Sequence, residues 1–83
     1  MNTYKTNGCR SVSADSHADA AHIFARRMAR RKYGKRGMIG AIRQSCYSPD
    51  GGVTEWSAFI GKPQGNTVDG GNVHFTVFLN TNH

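Results

Sequence analysis

The chain has 83 residues, a formal net charge of +6, and eight aromatic residues within a 37% hydrophobic composition. That is enough apolar material for one small core of marginal stability, so wholesale disorder is excluded and a single domain spanning residues 1–83 is expected. No apolar run approaches the ~20 residues that a membrane-spanning helix needs. Residues 1–9 lack the apolar core of a secretory signal, and two cysteines, Cys9 and Cys46, are too few for a disulfide framework. The expectation is a cytoplasmic protein with two reduced thiols and no membrane contact.

In chain order, residues 3–14 carry Asn7-Gly8 between β-prone positions, which reads as one interrupted strand or a short hairpin. Ser16 followed by Asp19 then marks a helix start, and residues 17–33 contain neither Gly nor Pro before Gly34 supplies a C-terminal cap. At 100° per residue, Ala20, Ala21, Phe24, Ala25, Met28 and Ala29 make one apolar stripe. Arg26, Arg27 and Arg30 fall on the opposite side. Arg31 and Lys32 flank the stripe, where their aliphatic stems can cover core edges. Ile23 falls among the arginines.

Beyond Gly34-Lys35-Arg36-Gly37 the period becomes strand-like. Residues 38–48 form an expected strand with Met38, Ile42 and Cys46 on one face. Pro49-Asp50-Gly51-Gly52 is a turn by its chemistry. Residues 53–61 return as a strand with Trp56, Ala58 and Ile60 on one face, and residues 62–71 read as a polar loop. Residues 72–80 alternate cleanly, with Val73, Phe75, Val77 and Leu79 facing one way and His74, Thr76, Phe78 and Asn80 the other. The expected fold class is therefore α+β: one helix packed on a small antiparallel sheet, in the order β-α-β-β-β.

Charge placement is the main functional signal. Seven of the eleven Lys and Arg residues fall within residues 26–36: Arg26, Arg27, Arg30, Arg31, Lys32, Lys35 and Arg36. So dense a cluster, with few acids to balance it, projects a field that attracts polyanions. A second candidate face is the side of the sheet turned away from the helix, expected to carry Arg43, Tyr47, Phe59, His74 and Phe78. Such a face can stack bases or bind a protein, but it lacks the sequence pattern of RNA-recognition sheets. Catalysis has poor support. His17 and His22 are five apart rather than the four that helical metal ligands need, no C-x-x-C pair is present, and the acids sit mostly at caps, turns and loops. Cys46 and His74 are expected on opposite faces, where no nucleophile–base pair can form. No enzyme, cofactor or metal is expected.

The chain resembles the small phage-encoded anti-CRISPR proteins that inhibit type I systems. The likeness rests on length, on element order, and on the segment Ala18-Asp19-Ala20-Ala21-His22-Ile23-Phe24-Ala25-Arg26-Arg27-Met28-Ala29. That segment leads through Tyr33-Gly34-Lys35 to strands ending in Phe59-Ile60-Gly61-Lys62-Pro63. These inhibitors share no universal motif, so the resemblance transfers no binding residues. Many of them are acidic mimics of DNA, and a basic chain departs from that pattern. What the resemblance implies is a non-enzymatic inhibitor in the cytoplasm of a bacterial host, monomeric or homodimeric, that binds a CRISPR-Cas effector complex or its nuclease. A small basic nucleic-acid-binding domain of a phage regulator is the alternative. An RNA-interacting toxin–antitoxin module ranks last, for want of a catalytic His motif.

Overall fold

Five antiparallel strands and one helix build two layers. The computed structural model describes residues 1–47 and 51–80. The elements are β1 (Asn2–Lys5), β2 (Val12–Ala14), α1 (His17–Tyr33), a single 3₁₀ turn (Gly34–Arg36), β3 (Met38–Tyr47), β4 (Val53–Gln64) and β5 (Thr67–Leu79). The sheet order is β2-β1-β5-β4-β3. The α+β reading is thus correct, and the N-terminal segment takes the hairpin alternative, with Asn2 opposite Ala14 and Tyr4 opposite Val12. The helix joins one edge strand, β2, to the other, β3, so a single helix crosses the width of the sheet and roofs its core.

The sequence dictates both helix ends. Ser16 is extended, and its hydroxyl accepts a hydrogen bond from the Asp19 amide at 3.1 Å, a cap that contributes about 1 kcal/mol. Gly34 sits at φ +72°, and its N–H donates to the Arg30 carbonyl. The 3₁₀ turn closes with Gly37 N–H donating to the Gly34 carbonyl at 3.0 Å. Gly37 then passes so close to the helix that any Cβ would overlap the Ala29 backbone carbonyl.

Four alanines, Ala20, Ala21, Ala25 and Ala29, are fully buried beside Phe24. Their small side chains bring the helix axis close to the sheet. Burial of Phe24 contributes roughly 1.5–3 kcal/mol. Tyr4, Val12, Ala14, Trp56, Ala58, Phe75 and Val77 complete the core cluster, with Trp56 and Phe75 directly opposite on β4 and β5.

Two expectations are corrected. Met38, Ile42 and Cys46 do not share a face. β3 carries two register shifts, between Ile39 and Ile42 and between Gln44 and Cys46. Each adds one residue, which reverses the alternation. Ile39, Ile42 and Gln44 therefore align with the inward row Ile60, Ala58 and Trp56, while Cys46 moves opposite Glu55 on the outward row.

Nor is 62–71 a loop. Pairing continues through Lys62↔Asp69, Pro63↔Val68 and Gln64↔Thr67, and only Gly65 and Asn66 make the turn. Gly65 has φ +62° with no positive φ at Asn66, as a type II′ hairpin requires. The long axis of the molecule is 45 Å, against about 25 Å for a 17-residue helix. The β4–β5 hairpin thus extends as a two-stranded arm whose residues 63–72 are all exposed. The turn expected over residues 49–52 lies partly outside the described residues.

Candidate functional site

The seven clustered cations divide into groups that the helical rotation alone does not separate. Arg27 and Arg31, one turn apart, reach sideways to the β1–β2 loop. The Arg27 guanidinium donates to the Arg10 carbonyl at 3.2 Å and Arg31 to the Gly8 carbonyl at 2.9 Å. They fasten that loop to the helix, so Arg27 does not belong with Arg26 and Arg30 on the open face. Ile23, one turn before Arg27, lies on the same flank and packs against the core edge, which accounts for an apolar residue among arginines. The Lys32 ammonium stands 5.6 Å from the centre of the Tyr33 ring, within cation–π range.

Arg26, Arg30, Lys35 and Arg36 are exposed. Among the described residues none of their side chains has a hydrogen-bond or ion-pair partner. The last-turn cations Arg30, Arg31 and Lys32 also complement the negative end of the helix dipole. One further cation joins this end of the molecule. Lys62, on the arm, shares with Arg36 a cleft of about 360 Å³ floored by Pro63, Gln64 and Gly65. Reading residues 62–71 as a loop concealed that juxtaposition. The signal that reveals it is Gly65-Asn66, a two-residue hairpin turn.

The second candidate face is only partly assembled. Arg43, Phe59, His74 and Phe78 do occupy outward rows, since Arg43 aligns with Ser57, Ser57 with His74, and Phe78 with Val53. Tyr47 aligns with Thr54, a register position in the helix-facing row, so it is not counted with them. Phe59 lies over the bare backbone of Gly40, its Cδ1 3.3 Å from where a Cβ would stand. Phe59 stands six positions along β4 from Val53, the partner of Phe78. The two phenyl rings are therefore about 20 Å apart along the strand. They form no continuous platform for stacking neighbouring bases.

Cys46 and His74, expected on opposite faces, share the outward face because of the second bulge. They lie two strands and two residues apart, since Cys46 lines up through Glu55 with Thr76; the separation is about 12 Å, beyond the reach of a nucleophile–base pair. An open cleft of about 280 Å³ there is lined by Ser45, Glu55, His74 and Thr76 among others. The Ser45 hydroxyl donates to the Glu55 backbone carbonyl at 3.1 Å, so its proton is directed at the main chain rather than at a side-chain base. Among the described residues no group of three or more His, Cys, Asp or Glu is placed to hold a metal ion. No described helix is long and apolar enough to cross a membrane.

Sequence reasoning missed the role of His17. Its Nε2 lies 2.9 Å from the Gly51 carbonyl and its Nδ1 2.8 Å from the Thr54 hydroxyl. The Trp56 indole N–H donates to that same hydroxyl at 2.6 Å. A carbonyl only accepts, so Nε2 carries the proton. In the neutral imidazole Nδ1 then accepts, and the donors run Trp56 to Thr54, Thr54 to His17, His17 to Gly51. The Tyr4 ring meets His17 edge-on at 4.8 Å. This histidine ties the helix N-terminus, the β3–β4 connection and β1 together. Its position is architectural, at the end of the molecule away from the arginines.

No family model, no curated protein and no solved structure matches this chain.

Proposed function

We propose that the protein is a non-enzymatic inhibitor of the anti-CRISPR kind. It binds a type I CRISPR-Cas surveillance complex or its nuclease through the basic helix face and the following loop, and so blocks target DNA binding or cleavage. The observation that carries this reading is the set of exposed cations Arg26, Arg30, Lys35 and Arg36, which have no hydrogen-bond or ion-pair partner among the described residues and run along the second half of α1 into the 3₁₀ turn. Cations that make no hydrogen bond or ion pair within their own fold remain available to a partner, and several held on one helix and the turn after it bind without a large backbone ordering cost. Support for a surveillance complex as the target comes from the resemblance in length, element order and helix segment. Such a complex holds RNA and DNA, and it offers the polyanionic surface that this field suits.

The test is a double charge reversal, Arg26→Glu with Arg30→Glu. Neither side chain has a hydrogen-bond or ion-pair partner among the described residues, so the variant is expected to keep its circular dichroism spectrum and lose inhibition and co-purification with the complex. Arg27 and Arg31 make poorer probes because they hold the β1–β2 loop. A folded double variant that inhibits like the parent chain refutes this placement of the surface.

A further inference from the structure

We infer that the cleft between the 3₁₀ turn and the β4–β5 arm is a seat for the phosphodiester backbone of a nucleic-acid strand, with Arg36 and Lys62 as its two cationic walls. The inference rests on the binding function proposed above and specifies what the basic end touches.

Three observations converge on it. First, the cleft is lined by two cations and no acid: Arg36 from the 3₁₀ turn, and Lys62, Pro63, Gln64 and Gly65 from the arm. Its volume of about 360 Å³ admits a phosphate with its flanking sugar atoms. Second, neither Arg36 nor Lys62 has a hydrogen-bond or ion-pair partner among the described residues. The guanidinium fork and the ammonium are both available to phosphate oxygens.

Third, both walls are held by backbone contacts rather than by flexible side chains. Behind Arg36, Gly37 is pressed against the Ala29 carbonyl. Before Lys62, a Cβ on Gly61 would stand 2.7 Å from the Asp69 carbonyl, and one on Gly70 would overlap the Ile60 backbone. The root of the arm is therefore a close backbone contact that tolerates no side chain at either glycine. The register Gly61↔Gly70 places Lys62 opposite Asp69. A two-stranded ribbon projecting beside a cationic turn has the shape to track a strand or enter a groove.

Asp69 is the only acid in residues 60–71. It opposes Lys62 across the ladder, where it weakens the local field. Its removal should strengthen binding to phosphate, whereas an uncharged docking surface would not respond in that way.

The experiment is fluorescence anisotropy with two labelled probes, a 20-nucleotide oligothymidine and a 20-base-pair duplex, titrated with the full chain between 50 and 200 mM KCl. Arg36→Ala and Lys62→Ala are each expected to flatten the slope of log K against log salt. The change should be ~0.9 for the duplex or ~0.7 for the single strand, and twice that for the double variant. Arg10→Ala, which removes an exposed cation of the β1–β2 loop and keeps the carbonyl that Arg27 meets, should leave the slope unchanged, and Asp69→Asn should tighten binding about threefold at 50 mM salt. The tighter of the two probes identifies a single strand or a duplex groove as the occupant.

The inference is overturned if the slope is unaltered in the Arg36 and Lys62 variants, or if Arg10→Ala flattens it equally. It is also overturned if neither probe binds at 50 mM KCl while the chain still co-purifies with an effector complex, because the cleft then meets an acidic protein. That last outcome leaves the inhibitor reading intact. Failure of the inhibitor reading appears separately, as nucleic-acid binding without inhibition.

Discussion

Replacing Thr54 by Val tests the hydrogen-bond relay at the helix N-terminus. The substitution keeps the branched shape and removes one hydroxyl. Thr54 is 6% exposed and Trp56 7% exposed, so water does not readily replace what is lost. Two hydrogen bonds disappear, from the Trp56 indole and to His17 Nδ1, each with a net contribution of about 1 kcal/mol. The indole N–H is left buried without an acceptor, at a cost of about 1–3 kcal/mol. The extra methyl regains under about 1 kcal/mol by burial. The expected loss is therefore about 2–4 kcal/mol, a large share of the stability of a domain this small, and a fall in Tm of roughly 10–20 °C.

Trp56 is the sole tryptophan, so its fluorescence in a urea titration reports on the relay directly. Thr54→Ser, which retains the hydroxyl and loses only a methyl, is expected to cost about 1 kcal/mol. A double-mutant cycle with His17→Ala should return a coupling of at least about 0.5 kcal/mol. The reasoning fails if Thr54→Val lies within about 0.5 kcal/mol of the parent chain, or if Thr54→Ser is equally damaging.

Other consequences can be checked alongside. Gly37→Ala drives a methyl into the Ala29 carbonyl and should destabilise the fold by about 2 kcal/mol or more; a thermal melt within a degree of the parent chain would contradict the close approach. Arg31→Ala releases the Gly8 carbonyl, so amide exchange across residues 6–11 should accelerate roughly fivefold with global stability little changed; uniform acceleration across the protein would show a different role for that arginine. Ser16→Ala removes the hydroxyl that caps Asp19 N–H and should cost about 1 kcal/mol in chemical denaturation. An unchanged midpoint would mean that water caps the helix equally well.

The helix was legible because its signals are local. Ser16, Asp19 and Gly34 mark its ends, and the alanine stripe around Phe24 marks its buried side. The same holds for residues 72–79, whose alternation matches the half-buried strand they form. The bulges of β3 were not legible because an added residue depends on what lies across the ladder, and Gly40, Ala41 and Ser45 carry no mark of it. The arm escaped notice for a different reason. Both its faces meet water, so nothing selects for alternation, and Gly61 and Gly70 are there for backbone-to-backbone contact while Gly65 makes the turn. Within the basic cluster, density was evident from sequence. The separation of Arg27 and Arg31 from Arg26 and Arg30 required the position of the β1–β2 loop, which no helical rotation contains.

β5, the last of the five strands in chain order, lies at the centre of the sheet between β1 and β4. During synthesis the β1–β2 hairpin and the apolar stripe of α1 are completed long before the strand that joins them to the rest. The hairpin cannot enter the sheet until Phe78 and Leu79 emerge to pair with Lys5 and Tyr4. Folding on the ribosome is therefore deferred to the final residues of the core, and Phe24, Ala21 and Ala25 remain exposed until then. A chain released before Phe75 and Val77 is a roof without its central wall. Such a fragment leaves the apolar stripe of α1 uncovered, a surface for proteases and for other copies of itself.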